Sequence, residues 1–124
     1  DESKAMSLEE DLQYILNVYV NAYRAGDAAG CASVYTIDAQ LYSPFGPPAL
    51  GRGQIETVHR DWVAEGSAGK SLEIIEAGSD GNLAWCLASF SEGTETGNGV
   101  SLNVFERSPD GDWRIRMCSL NVAT

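Results

Sequence analysis

Apolar residues recur every three or four positions in the first half of the chain and every second position in the later half, with the change near residue 70. Leu8, Leu12, Ile15, Tyr19 and Tyr23 form one stripe. Ser7 and Glu10 precede it with capping-box spacing, and Gly26 follows it. This pattern predicts a first helix with Tyr19 on its buried face. Asp27 is the expected N-cap of a short second helix that turns Cys31, Val34 and Tyr35 inward. An extended A-Q-L-Y-S segment then runs to Pro44, which ends it, and Pro44 to Gly53 reads as a Pro- and Gly-rich loop. A third helix is predicted from about Gln54 to near Gly66, with Ile55, Val58, His59, Trp62 and Val63 on one stripe.

From Lys70 onward Leu72, Ile74 and Glu76 alternate with Glu73, Ile75 and Ala77 before the turn signal S-D-G-N. Three further strands are expected at roughly 82–91, 99–107 and 113–122. The Gly-rich E-G-T-E-T-G-N-G and the turn S-P-D-G-D are short enough to join them as antiparallel hairpins. Helices first and a meander after make the fold class α+β. On the strand at 99–107 Ser101, Asn103 and Phe105 point one way and Val100, Leu102 and Val104 the other; on the preceding strand Trp85 and Leu87 oppose Ala84, Cys86 and Ala88, so the sheet lacks the polar face that one-sided cover would leave. If the helices cover the Asn103 face, the aliphatic face needs another cover, and a second copy of the chain is the simplest, so a homodimer is expected.

A length of 124 residues fits a single domain with a real core. A net charge of −10, with only eight Lys and Arg scattered along the chain, argues against nucleic-acid and anionic-membrane partners. Cys31, Cys86 and Cys118 are odd in number, far apart and without C-x-x-C spacing, which predicts reduced, buried thiols. A single histidine and dispersed carboxylates offer no metal-ligand cluster, and the T-G-N-G segment opens a strand, so it cradles no phosphate; no metal and no cofactor are expected. No apolar run reaches the roughly 20 residues of a membrane span, and D-E-S-K-A-M-S is unlike a signal peptide, so the expected location is cytoplasmic. Residues 1–6 are expected to be a disordered N-terminus or the remnant of a tag or leader, and 7–124 one domain.

The stretch Y-V-N-A-Y-R-A-G-D-A-A-G-C-A-S-V-Y from Tyr19, the L-G-R-G-Q-I segment at 50–55 and the final D-W-R-I resemble the nuclear-transport-factor-2-like superfamily, in particular its SnoaL-like and ketosteroid-isomerase-like domains. The resemblance covers nearly the whole chain. It implies a cone in which a strongly bent, mixed but mostly antiparallel sheet wraps three N-terminal helices around an apolar cavity. Relatives use such cavities for isomerisation, cyclisation, dehydration or binding, so the fold alone assigns no reaction.

By the same resemblance Tyr19 matches an oxyanion-binding tyrosine, and Asn103 falls where the isomerase holds a protonated aspartic acid as a second donor. Ser43, before Pro44, stands where the isomerase has its proton-moving aspartate, and a hydroxyl is a very poor base at neutral pH. Whether the chain is an enzyme is therefore open, and its catalytic residues are unknown beyond the candidates Tyr19, His59 and Asn103. His59 is the available alternative base. Tyr42, Ser43, Phe45, Trp62, Trp85, Met117 and Asn121 are the remaining residues expected to line a ligand cavity, with Ser119 as a further polar point; Asp38 and Asp61 read as structural or solvated. The leading expectation is a domain that binds a small apolar or amphipathic molecule through a Tyr19/Asn103 oxygen clamp. The alternatives are an isomerase, cyclase or dehydratase acting beside a carbonyl with a non-standard base, and a non-catalytic dimerisation or scaffold domain.

Overall fold

Three helices lie along one face of a six-stranded sheet whose strand order is β2-β1-β6-β5-β4-β3. The elements are α1 (Leu8–Arg24), α2 (Ala28–Ser33), β1 (Tyr35–Ser43), β2 (Gly46–Leu50), α3 (Arg52–Ala64), β3 (Ser71–Asp80), β4 (Leu83–Ser91), β5 (Gly99–Arg107) and β6 (Trp113–Val122). The structure, a computed structural model, describes residues 7–65, 68–91 and 98–122. Residues 1–6, the expected helix stop at Gly66 and most of the Gly-rich hairpin loop lie outside these. The fold is α+β, and the sheet is mixed: β1 runs parallel to β6, and all other neighbours are antiparallel.

Local chemistry sets the helix ends. Ser7 and Glu10 close the capping box at α1. At its other end Gly26, with φ +73°, lets the Gly26 and Asp27 amides turn back onto the carbonyls of Tyr23 and Ala22. Asp27 caps α2 through the Gly30 amide. Gly51 adopts φ +89° before α3, and Arg52 then donates through Nε and Nη2 to the Tyr35 carbonyl at 3.0 and 2.6 Å, tying the helix to β1.

Several stretches differ from the sequence expectation. The second helix ends at Ser33, so Tyr35, expected on it, opens β1, which starts four residues before the A-Q-L-Y-S segment. The expected loop at 44–53 contains β2, an antiparallel edge strand on β1; an edge tolerates Pro47 and Pro48 because one side of it needs no ladder donors. In β3 a bulge between Ile74 and Glu76 shifts the alternation, so Ala77 joins Leu72 and Ile74 against the core while Glu76 and Ile75 face out. The exposed side of β3 is also closed, since Gln13 of α1 accepts from the Ile74 amide at 3.0 Å and donates to the Leu72 carbonyl at 3.1 Å.

The helices cover the face that carries Ala84, Cys86, Ala88, Ser101, Asn103 and Phe105, all buried. Opposite them Trp85 and Leu102 remain 40 and 45 % exposed. All three cysteines are free and buried, and burial pushes their thiols up, Cys86 to about 11 and Cys31 and Cys118 to about 12. Among the described residues no helix is long and apolar enough to cross a membrane.

Candidate functional site

Between α1 and the inner face of β5 and β6 the core leaves a void of about 20 Å³. Leu16, Leu41, Leu72, Ile115 and Leu120 give the void its apolar wall, and Trp62 of α3 closes one side. The polar groups at its edge belong to Tyr19, Tyr35, Lys70, Ser101 and Asn103.

Tyr19 points from α1 toward α3, where its hydroxyl lies 2.8 Å from Nε2 of His59. Nδ1 of the same ring lies 2.8 Å from the Ile55 carbonyl, one turn earlier on the helix. A carbonyl only accepts, so Nδ1 carries the hydrogen, Nε2 carries the lone pair, and Tyr19 is the donor to it. Burial lowers His59 from 6.5 to about 4, which keeps the imidazole neutral at physiological pH. Burial likewise raises Tyr19 well above its ordinary value, so the phenol stays protonated. His59 sits edge-on to Trp62, with ring centroids 4.9 Å apart, and Trp62 in turn meets Phe45 at 6.0 Å.

On the sheet side, Nδ2 of Asn103 donates to Oγ of Ser101 at 3.0 Å and approaches Sγ of Cys86 at 3.9 Å. The Tyr19 and Asn103 donors therefore both have protein partners. His59 is fully buried behind Tyr19, and its lone pair reaches the interior through the phenol. If the Tyr19 oxygen accepts a ligand proton, it can pass its own proton to Nε2, a relay that needs no charged base at the void.

The structure thus brings Tyr19, Asn103 and Trp62 to one void, with His59 directly behind. It does not bring Ser43 there. Ser43 lines an outer groove of about 500 Å³ with Phe45, Pro47, Pro48, Val58 and Asp61, and its Oγ accepts from the Phe45 amide. Trp62 is the one residue shared by groove and void. Trp85, Tyr42, Met117 and Asn121, expected in the cavity, lie elsewhere. Tyr42 is 40 % exposed and bonds Gln40, and Trp85 packs over Gly78 on the outer face. Simple alternation from Ile115 would turn Met117, Ser119 and Asn121 inward. A register shift pairs Phe105 with Ile115 but Val104 with Met117, leaving Arg116 as the extra residue, and this reverses the faces: Cys118 and Leu120 line the void instead. Asp38 is exposed and lies 3.6 Å from Arg116.

Sequence reasoning passed over Lys70. It is 4 % exposed, with Nζ 4.6 Å from the Tyr23 ring centroid, 5.2 Å from Phe90 and 5.9 Å from Tyr19. A lysine between Gly69 and a strand reads as solvated, and nothing local marks it as inward-facing. Among the described residues no group of three or more His, Cys, Asp or Glu side chains is placed to hold a metal.

No protein-family model and no curated protein matches the chain. Solved structures do. A ketosteroid isomerase-like protein from Erwinia carotovora atroseptica superposes with a TM-score of 0.79 at 17 % identity, over 94 % of this chain and 96 % of that one. A domain of unknown function with a cystatin-like fold from Nostoc punctiforme gives 0.80 at 18 %, over 97 and 80 %. An NTF2-like protein of unknown function from Shewanella oneidensis gives 0.75 at 19 %, over 90 and 96 %. At these identities the likeness establishes the fold: the chain has the NTF2-like, ketosteroid-isomerase-like architecture.

Proposed function

We propose that this NTF2-like fold serves as a small-molecule-binding domain, holding a largely apolar ligand with an oxygen function in the interior beneath Trp62. The observation that carries this reading is the convergence of Tyr19, Asn103, Ser101 and Lys70 on one void in an otherwise apolar wall. A core that only stabilised a scaffold gains little from such groups, because replacing a hydrogen-bonded buried pair with apolar side chains of the same shape is close to neutral for stability. The void of about 20 Å³ admits little more than a water. A ligand therefore enters by displacing Trp62, which is only half-buried and has the outer groove on its far side.

Titration with small aryl ketones, alcohols and carboxylates, followed by two-dimensional NMR, tests this reading. Saturable shifts at Leu16, Leu72, Leu120 and the Trp62 indole support it. Shifts confined to surface residues, or none, remove it.

The Tyr19–His59 pair favours a second reading, catalysis beside a carbonyl. The phenol would take up the proton and His59 would receive the one that the phenol gives up. Deuterium uptake from D₂O at the carbon next to a ligand carbonyl, lost in Tyr19→Phe, is its signature.

We also propose that a second copy of the chain covers the outer sheet face. Trp85 and Leu102, with Leu83 and Ile75 at 51 and 55 % exposure, form a broad apolar surface there.

A further inference from the structure

We propose that the outer groove between β2 and α3 is a second binding site, for a small organic cation: an ammonium with an apolar body. This goes beyond the interior-binding reading and does not depend on it. The groove measures about 500 Å³, within the roughly 300–1,000 Å³ of small-ligand sites. Phe45, Pro47, Pro48, Val58 and Trp62 form its apolar wall. Among the described residues that line it, Asp61 and Glu65 are the charged ones, and both are acidic.

Both walls are set before anything binds. β2 is pinned to β1 through the Leu41–Ala49 and Gln40–Leu50 pairs, and its two prolines restrict the backbone further. The Leu50 amide donates to Oε1 of Gln54 at 2.9 Å, which ties the end of the strand to the first turn of α3. Across the groove Phe45 meets Trp62 edge-on at 6.0 Å, yet it stays 58 % exposed. A ring left so open gains from a partner in the groove, and aromatic faces attract cations.

The charges complement such a ligand. Asp61 and Glu65 stand one turn apart on α3, so their carboxylates share a face and repel each other. They also occupy the last turn and the C-cap, where the helix dipole is negative and no basic residue stands. Neither basic residue of α3 offsets them, since Arg60 pairs with Glu56 at 2.8 Å and Arg52 donates to the Tyr35 carbonyl. Among the described residues Asp61 and Glu65 have no ion-pair partner. A cation in the groove relieves the mutual repulsion and the unfavourable dipole together. The carboxylates hold the ammonium end, and the apolar body lies along Phe45, Pro47 and Pro48.

Isothermal titration of the full chain with 3-phenylpropylammonium and with the uncharged 3-phenylpropan-1-ol, at low ionic strength, tests the site. The ammonium is expected to bind at least about tenfold more tightly than the alcohol. In Asp61→Asn/Glu65→Gln that preference disappears; both positions are exposed, so the variant keeps the fold. The net charge of −10 attracts any cation, and Glu73→Gln/Asp80→Asn, with the same change of charge away from the groove, controls for it. A preference that falls equally in both variants reduces the effect to net charge and overturns the site. So does an alcohol that binds as tightly as the ammonium, or an ammonium that does not bind. NMR shifts on adding the ammonium are expected at Gly46, Thr57 and the Trp62 indole. Shifts at Leu16 and Leu120 instead would put the cation in the interior, overturning the groove site while the interior-binding reading stands.

Discussion

The Tyr19 hydroxyl donates to Nε2 of His59 across 2.8 Å, and that contact, with the Ile55 carbonyl on Nδ1, fixes the tautomer of the imidazole and the direction of the phenol. The pair links α1 to α3 across forty positions of sequence and forms the rear wall of the interior. Both rings are buried, so a charge on either carries a desolvation penalty.

This has a consequence for acid stability. His59 falls from 6.5 to about 4 because burial penalises its charged form. Above about pH 6.5 the ring is neutral whether the chain is folded or unfolded, and it contributes no pH dependence. Between about 6.5 and 4 the unfolded chain binds the proton and the folded one does not, so stability is lost as pH falls through this window, by about 3 kcal/mol in all. Denaturant unfolding of wild type and His59→Gln, from pH 7 to 4, should show a shallower decline in the variant, because its amide still accepts from Tyr19 but does not titrate. Equal slopes would mean that carboxylates carry the whole pH dependence.

Trp62 separates the void from the groove, so Trp62→Ala should join them. The indole is half-buried against His59 and Phe45, and its loss should cost about 2–3 kcal/mol, below the 3–5 kcal/mol of a fully buried aromatic. The same variant should bind small aryl ligands with a faster association rate in stopped-flow fluorescence. An unchanged rate would place the ligand's path elsewhere.

The outer face should pair two copies of the chain. Sedimentation velocity at micromolar concentration is expected to show a dimer, and Leu102→Lys should dissociate it, since a charge at that 45 %-exposed position on β5 would have to be buried in the interface. A wild-type monomer at every accessible concentration removes the proposal.

Much of the fold could be read from local pattern. The Ser7–Glu10 box, the Asp27 cap and the alternation on β4 and β5 depend on neighbours a few residues apart, and the structure keeps each of them. The alternation of Ser101, Asn103 and Phe105 against Val100, Leu102 and Val104 also holds, but which face the helices cover was only a condition in the sequence reading, and Trp85, expected in the cavity, lies on the opposite face. The expected loop at 44–53 failed as a reading since its strand exists only by pairing with β1, a relation that Pro47 and Pro48 conceal.

The sequence by itself determined three helices, five of the six strands and the alternation along β4 and β5, because propensity, capping and period act within a turn or a strand. Only the tertiary structure decided which polar side chains share a chamber. A single extra residue at Arg116 turned Met117 and Asn121 outward and Leu120 inward, while packing of α1 and α3 set His59 behind Tyr19, and the run into β3 carried Lys70 under three aromatic rings. Bulges and helix packing are settled by contacts between residues distant in sequence, and no local period records them.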